Sequence, residues 1–407
     1  MDQINKTRRR LIVSGAALAG SAMLSAPVFS QPANVFRIGA LNPITGAGAP
    51  YGAGMQKIIF AVVDEINAAG GAGGRTLEVI AEDCQTKPEV AALAVKKLLE
   101  VNKVQAVLGT WSSGVTLVAM AQTNAAGAIL MNTSGASAIS KQNTKGLVWR
   151  FQATNERFGG AFYKAVKGQG FKRIATMGLN NPAALSITEG FTKELNAAGG
   201  KLVESVVYEP NRPSYRSELQ KVLSAKPDAV VLGSYLPDTS IILREWYQTG
   251  QATRWLIPGF VGATNLVKAV GAEVAEGTMV IDIISNEGSK SLVRFNRLYQ
   301  KVTGKTGSDT YAAMCYDMVM VLALALEAAG ANATTAQVNA KIREVSSPGG
   351  TTVVTFEEGK NALKKGKISY EGASSKLNFD AVGDAAQDLS VGIIEKGVVV
   401  NTGRVIA

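Results

Sequence analysis

Arg37-Ile38-Gly39-Ala40-Leu41-Asn42-Pro43 and Arg173-Ile174-Ala175-Thr176-Met177-Gly178-Leu179-Asn180-Asn181-Pro182 state one pattern twice: a basic residue, a short apolar run and an Asn-Pro turn. An apolar run without polar alternation, closed by a turn, reads as a strand buried on both faces. Each copy is followed by a helical stretch that stops at the same five residues, Asn67-Ala68-Ala69-Gly70-Gly71 and Asn196-Ala197-Ala198-Gly199-Gly200. Glycine just past a helix supplies the left-handed closing residue, so the likeness has a mechanical cause. Strands at 76–81 and 202–208 come next, then helices. The third strands are Ala106-Val107-Leu108-Gly109-Thr110-Trp111 and Ala229-Val230-Val231-Leu232-Gly233-Ser234-Tyr235, each ending in Gly, a small hydroxyl residue and a large aromatic.

Buried strands alternating with helices predict parallel sheets covered on both faces. The fold class is therefore α/β, with two doubly wound parallel-sheet lobes. In such sheets ligands sit beyond the carboxyl ends of the strands. The strand-to-loop corners at 43–54, 109–116, 132–137, 180–186, 233–239 and 258–264 thus carry the function. They are polar and Gly-rich, without the cluster of titratable groups that acid/base chemistry needs.

Composition narrows the classes further. The 407 residues are 46% hydrophobic and 18% charged, enough for two ordinary cores. Lys6, Arg8, Arg9 and Arg10 precede an uncharged run from Leu11 to Leu24 and then small residues, the three-part build of a secretory signal over 1–30. Cleavage is expected after Ser30 or after Ala26. Thr7-Arg8-Arg9-Arg10-Leu11 resembles a twin-arginine signal, so export runs by the Tat or the Sec route. Without that segment the net charge is +7, from basic residues scattered among acids. That is a solvated surface rather than a nucleic-acid footprint.

Histidine is absent, which removes Ser-His-Asp and Cys-His catalysis and the commonest zinc ligand. Cys84 and Cys315 have no metal-ligand spacing, and no cofactor fingerprint is present: Gly46-Ala47-Gly48 would start a dinucleotide loop, but Tyr51 holds the third glycine position. The apolar stretch Met318 to Ala329 is too short for a membrane span and reads as a core helix.

From Val35 onward the corners carry Pro43-x-Thr45-Gly46, Tyr51-Gly52, Ile66-Asn67-Ala68-x-Gly70-Gly71, Glu82-Asp83-Cys84, Gly109-x-x-Ser112-Ser113 and Phe379-Asp380-x-x-Gly383-Asp384. On these the chain resembles periplasmic binding proteins of the branched-chain amino acid (Leu/Ile/Val-binding) type. The resemblance implies a type I periplasmic binding protein with a three-crossover hinge, lobe 1 at 34–153 and 286–375, and lobe 2 at 154–285 and 376–407. It also implies a periplasmic monomer with no stable membrane insertion, which hands a small-molecule solute to an ABC permease and ATPase complex.

Ser113 is expected to open a helix whose unpaired N–H groups suit a carboxylate; a plain capping role for Ser112 or Ser113 is the alternative. The resemblance aligns Ser113 with the family's carboxylate-binding serine and Ser134, Gly135, Ala136 and Ser137 with its second contact to the same ligand end. It places Tyr51 over the ligand and Tyr235 against it. Trp111 and Phe260 are expected as apolar walls, and Asn181 at the opposing corner beside Asn180. The chain departs from the family at Ala183-Ala184, where Tyr-Gly is usual, and at Gly259, where an ammonium-binding acid is usual. A buried ammonium without a counter-charge is costly, so another acid such as Asp238 or Asp282 must serve, or the solute is a carboxylate or amide, including aromatic acids. The rival readings are a ligand sensor with the same lobes and an enzyme on a doubly wound fold.

Overall fold

The computed structural model describes residues 34–307 and 309–405; the secretory-signal reading lies outside them. The first half runs β1 (Val35–Asn42), α1 (Ala49–Ala68), β2 (Thr76–Asp83), α2 (Pro88–Lys96), β3 (Ala106–Thr110), α3 (Ser113–Ala126), β4 (Ile129–Asn132), α4 (Ser137–Gln142) and β5 (Val148–Arg150). The chain then crosses to α5 (Asn155–Gly168), β6 (Ile174–Leu179), α6 (Pro182–Ala197), β7 (Glu204–Tyr208), α7 (Arg216–Ser224), β8 (Ala229–Gly233), α8 (Leu236–Tyr247) and β9 (Arg254–Pro258). α9 (Ala263–Val270), α10 (Ala272–Ala275) and β10 (Met279–Ile283) complete that half. It returns through α11 (Lys290–Thr303), α12 (Thr310–Ala329), α13 (Thr335–Ser346), β11 (Thr351–Val353), α14 (Phe356–Leu363) and β12 (Ile368–Tyr370), and crosses once more to β13 (Leu389–Glu395) and β14 (Val398–Val405).

The duplication survives as topology. One sheet has the order β2-β1-β3-β4-β5, and the other contains β7-β6-β8-β9-β10 in the same order, every one of these pairings parallel. In both, the order reverses between the first and third strands, and that switch point opens the ligand crevice of doubly wound sheets. The second sheet gains an antiparallel pair at its edge, β13 on β10 and β14 on β13. Lys396 and Gly397, both at positive φ, make the tight turn between them.

The family-like motifs prove to be joints. Asp83 accepts hydrogen bonds from the Ile44 N–H, the Thr45 hydroxyl and the Gln85 N–H, which ties the 43–46 loop to the end of β2. Asn67 exchanges two bonds with Leu77. Phe379 packs edge-on against Trp149 and Phe151, while Asp384 continues the first sheet beside Arg150. α12 contains the stretch expected as a core helix; it is long and apolar enough to cross a membrane, yet 83% of its most apolar window lies buried, against α1, α13 and α14. Cys84 and Cys315 are both buried and free.

Asp317, fully buried in α12, accepts from the Tyr370 hydroxyl, the Ala373 and Ser374 N–H groups and the Ser374 hydroxyl, fixing the chain where it leaves for its last crossing. Burial pushes its carboxyl up to about 6, against the pull of those donors. Asp317→Asn keeps the shape but turns an amide NH₂ toward donors. Urea unfolding should show a loss of about 2 kcal/mol; an unchanged midpoint would mean the cluster contributes nothing.

Candidate functional site

Three corners of the first lobe meet the second lobe across the switch-point crevice. β3 ends at Thr110, and the chain turns through Trp111 and Ser112 into α3, whose first turn has no side-chain cap. Its N–H groups therefore point outward with their positive dipole uncompensated. Ser113, 1% exposed, accepts the Ala136 N–H at 3.1 Å, which joins this corner to the next. Ser112 leaves its hydroxyl free of capping and meets the Tyr235 hydroxyl at 3.5 Å.

At the second corner the expected residues divide. Ser134 bonds the Trp111 carbonyl at 2.9 Å and the Thr116 hydroxyl at 2.6 Å, so it stitches the two corners together from beneath. The Gly135 carbonyl accepts the Asn155 N–H at 2.6 Å, and a Cβ on Gly135 would fall 1.8 Å from Asn155 Oδ1. Only glycine admits α5 this closely. Ser137 faces Ser186 of α6, which accepts the Ser137 N–H at 3.1 Å and pairs with its hydroxyl at 2.9 Å. Arg150 lies behind this corner and donates to the Ala136 carbonyl at 3.1 Å.

The aromatic residues singled out in the sequence come together as one cluster. Trp111 lies 5.6 Å from Tyr51, 5.2 Å from Tyr235 and 6.2 Å from Phe260, ring centre to ring centre. Tyr51 and Trp111 come from the first lobe, Tyr235 and Phe260 from the second. The Tyr51 hydroxyl donates to the Phe260 carbonyl at 3.1 Å, so the lobes stand closed on each other. Tyr311 of α12 joins the cluster, 4.8 Å from Tyr51 and 6.0 Å from Trp111. Sequence reasoning missed it; an aromatic at the start of an apolar helix, beside the Asp309 cap, was the available signal. Asn155 was missed too, since nothing local marks it, and Ser186 was covered only as the end of the 180–186 corner, without a role of its own.

Asn181 does not join the cluster. Its side chain caps α6 by accepting the Ala184 N–H at 2.8 Å.

The two acids named as substitutes have different fates. Asp238 accepts from the buried Tyr215 hydroxyl beneath α8. Asp282 stands beside Gly259, where a Cβ would lie 2.0 Å from its Cγ. The space a side chain at 259 would fill thus holds the Asp282 carboxylate. Burial pushes Asp282 up to about 6, the Ile283 N–H opposes this, and nearby Asp309 adds to it. Asp282 and Asp309 line a cavity of about 430 Å³ between the lobes, with Tyr51, Gly262, Asn265 and Tyr311. Among the described residues no cluster of three or more His, Cys, Asp or Glu could hold a metal.

A family profile described as "Periplasmic binding protein" matches residues 35–366. The Leu/Ile/Val-binding protein homolog 1 of Brucella suis is 27% identical over 390 residues, covering 91% of this chain and 99% of that protein. The leucine-, isoleucine-, valine-, threonine-, and alanine-binding protein of Pseudomonas aeruginosa is 24% identical, over 80% of this chain and 86% of its own. Among solved structures, a leucine binding protein from Thermotoga maritima superposes with a TM-score of 0.78 at 20% identity, covering 91% of this chain and 99% of its own. A solute binding protein of an ABC transporter from R. palustris, in complex with benzoate, gives 0.73 at 20% identity, over 91% and 96%.

Proposed function

Because this chain belongs to the periplasmic binding protein family, we propose that it is the solute-binding receptor of an ABC importer, closing two lobes around a small carboxylate- or amide-bearing solute. One observation carries the reading: neutral hydrogen-bonding corners and an aromatic cluster from both lobes face each other across the switch-point crevice, with Tyr51 bonded to Phe260 and Tyr235 to Ser112. Such a surface suits holding a guest between two states of the hinge.

The solute's anionic end lies at the start of α3, against Ser112 and Ser113 and beside Ala136 and Ser137, where the uncapped N–H groups of the first turn of α3 receive it. Its apolar body lies along Trp111, Tyr51, Tyr235 and Phe260. Leu/Ile/Val-binding relatives and the benzoate-bound neighbour both fit this class, as an amino-acid-like solute or an aromatic acid. We assign lobe 1 to 34–153 and 286–375, and lobe 2 to 154–285 and 376–407, a periplasmic monomer whose closed face is read by a permease and its ATPase. Ala183 and Ala184, in place of larger side chains, leave room for a ring.

A thermal-shift screen over amino acids, amides, dicarboxylates and aromatic acids tests this. A member of the class at a hundred times its Kd should stabilise the protein by about 2.7 kcal/mol. Ser113→Ala should then weaken that ligand by roughly tenfold or more, the loss of one hydrogen bond to a charged group. Binding indifferent to Ser113 would move the carboxylate elsewhere.

A further inference from the structure

One helix departs from the scattering of basic residues among acids. Positions 288–308 hold Lys290, Arg294, Arg297, Lys301 and Lys305 and no Asp or Glu. In α11 the first four stand four, three and four residues apart, which sets them in one row along a single helix face. All four are exposed, while Phe295 and Tyr299 turn the opposite face into the core. The row borders a groove of about 480 Å³, where the only acid is Glu65 of α1. Glu65 is taken by Arg294 at 2.7 Å, and no ion pair is made by Lys290, Arg297 or Lys301 among the described residues. Exposed cations elsewhere do find acids, as in Arg37 with Glu78, Lys97 with Glu82 and Lys341 with Glu344.

This arrangement works against the helix that carries it. Lys290 opens α11, where a cation opposes the helix dipole, and no acid stands in the first turn to offset it. Lys290 with Arg294, Arg294 with Arg297, and Arg297 with Lys301 are like-charge neighbours three or four residues apart, each a repulsive pair. A local feature that opposes the stability of its own element marks a surface kept for another purpose. The row spans about 17 Å at the rise of an α-helix, so an extended anionic surface relieves all four charges together. A protein partner would look for an apolar centre to its interface, yet only Val293, 49% exposed, flanks the row. A plane of phosphates asks for charge alone. We infer that the exposed face of α11 is an adsorption surface for anionic phospholipid headgroups, held electrostatically and without insertion into the bilayer.

Sedimentation with lipid vesicles tests this on the exported chain, beginning at Gln31. Vesicles of equal phosphatidylglycerol and phosphatidylcholine in about 50 mM salt should bind it about tenfold or more tighter than phosphatidylcholine alone. Raising the salt to about 500 mM should abolish the preference, because the screening length falls about threefold. The triple variant Lys290→Gln, Arg297→Gln, Lys301→Gln should lose about tenfold or more of the anionic binding. A second triple variant, Lys164→Gln, Lys167→Gln, Lys201→Gln, removes the same charge from exposed positions elsewhere and should stay within about threefold of wild type. The α11 variant should melt no lower than wild type, since it relieves repulsion along the helix. No preference for anionic vesicles, equal loss in both triple variants, or a lower melting midpoint in the α11 variant overturns the assignment. Capture by poly-glutamate without capture by vesicles overturns it too, and makes the partner an acidic protein. Vesicle binding needs no solute, so the receptor reading stands or falls separately, on the ligand screen above.

Discussion

Arg150→Met is expected to cost about 3–5 kcal/mol of stability, the range for breaking a buried ion pair from one side. Arg150 is fully buried at the end of β5, and its guanidinium has three separate tasks. Nε meets Asp384 at 2.8 Å, one Nη donates to Ser140 Oγ at 2.6 Å, and the other holds the Ala136 carbonyl. Ser140 in turn donates to Asp384 at 2.7 Å, so the set is closed on itself. The backbone adds to it: Arg150 N–H donates to Gly383 and Ala385 N–H to Arg150, which pins the last crossing segment to the edge of the first sheet. Methionine fills the volume but abandons Asp384 without its cation. The double variant Arg150→Met with Asp384→Asn should recover more than half of the loss, because removing both partners removes the uncompensated charge. Urea unfolding of the four proteins measures this. Strict additivity, or a single-variant loss under about 1 kcal/mol, would show that the pair is not coupled. A solute-binding defect in refolded Arg150→Met would trace the guanidinium's hold on Ala136 to the serine corner.

Trp111→Ala should have the largest effect on binding, lowering affinity for the best ligand of the screen by about thirtyfold or more, as expected for a buried aromatic hot spot. Trp111 touches Tyr51, Tyr311, Tyr235 and Phe260, two from each lobe, and is 5% exposed. Truncation removes the ring on which the two lobes meet and opens a cavity that costs about 3–5 kcal/mol by itself. Trp111→Phe separates the two effects, since it keeps most of the packing but shortens the wall. Calorimetry and thermal melts on the two variants should show stability largely restored in Trp111→Phe and affinity only partly so. Affinity within about threefold of wild type in Trp111→Ala would place the solute away from the cluster.

Much of this was legible because it depends on local pattern. The apolar runs at 37–41 and 173–179 and the paired Asn-Ala-Ala-Gly-Gly stops led directly to two sheets of equal strand order. Trp111 and Phe260 were legible as walls at strand-end corners, which face the crevice of a doubly wound sheet, whereas Tyr51 and Tyr235 were placed there by the resemblance to Leu/Ile/Val-binding proteins. Ser134 and Asn181 were read as open to a solute, and both are engaged in their own corners, since a hydroxyl or amide at a turn meets backbone partners before any guest. The antiparallel β13 and β14 escaped the parallel reading, although Lys396-Gly397 is a hairpin turn with apolar residues on both sides.

The division follows the reach of the forces involved. Hydrophobic periodicity, turn residues and the repeat are properties of a few consecutive residues, so the sequence alone determined two doubly wound lobes and which corners face each other. Which acid stands at the crevice is a matter of register: β10 pairs with β9 so that Ile281 lies opposite Pro258, which carries Asp282 up to Gly259. Parallel pairing joins strands separated by a helix, and no spacing along the chain encodes that alignment. Tyr311, Asn155 and Ser186 enter the crevice for the same reason, delivered by packing between elements far apart in sequence.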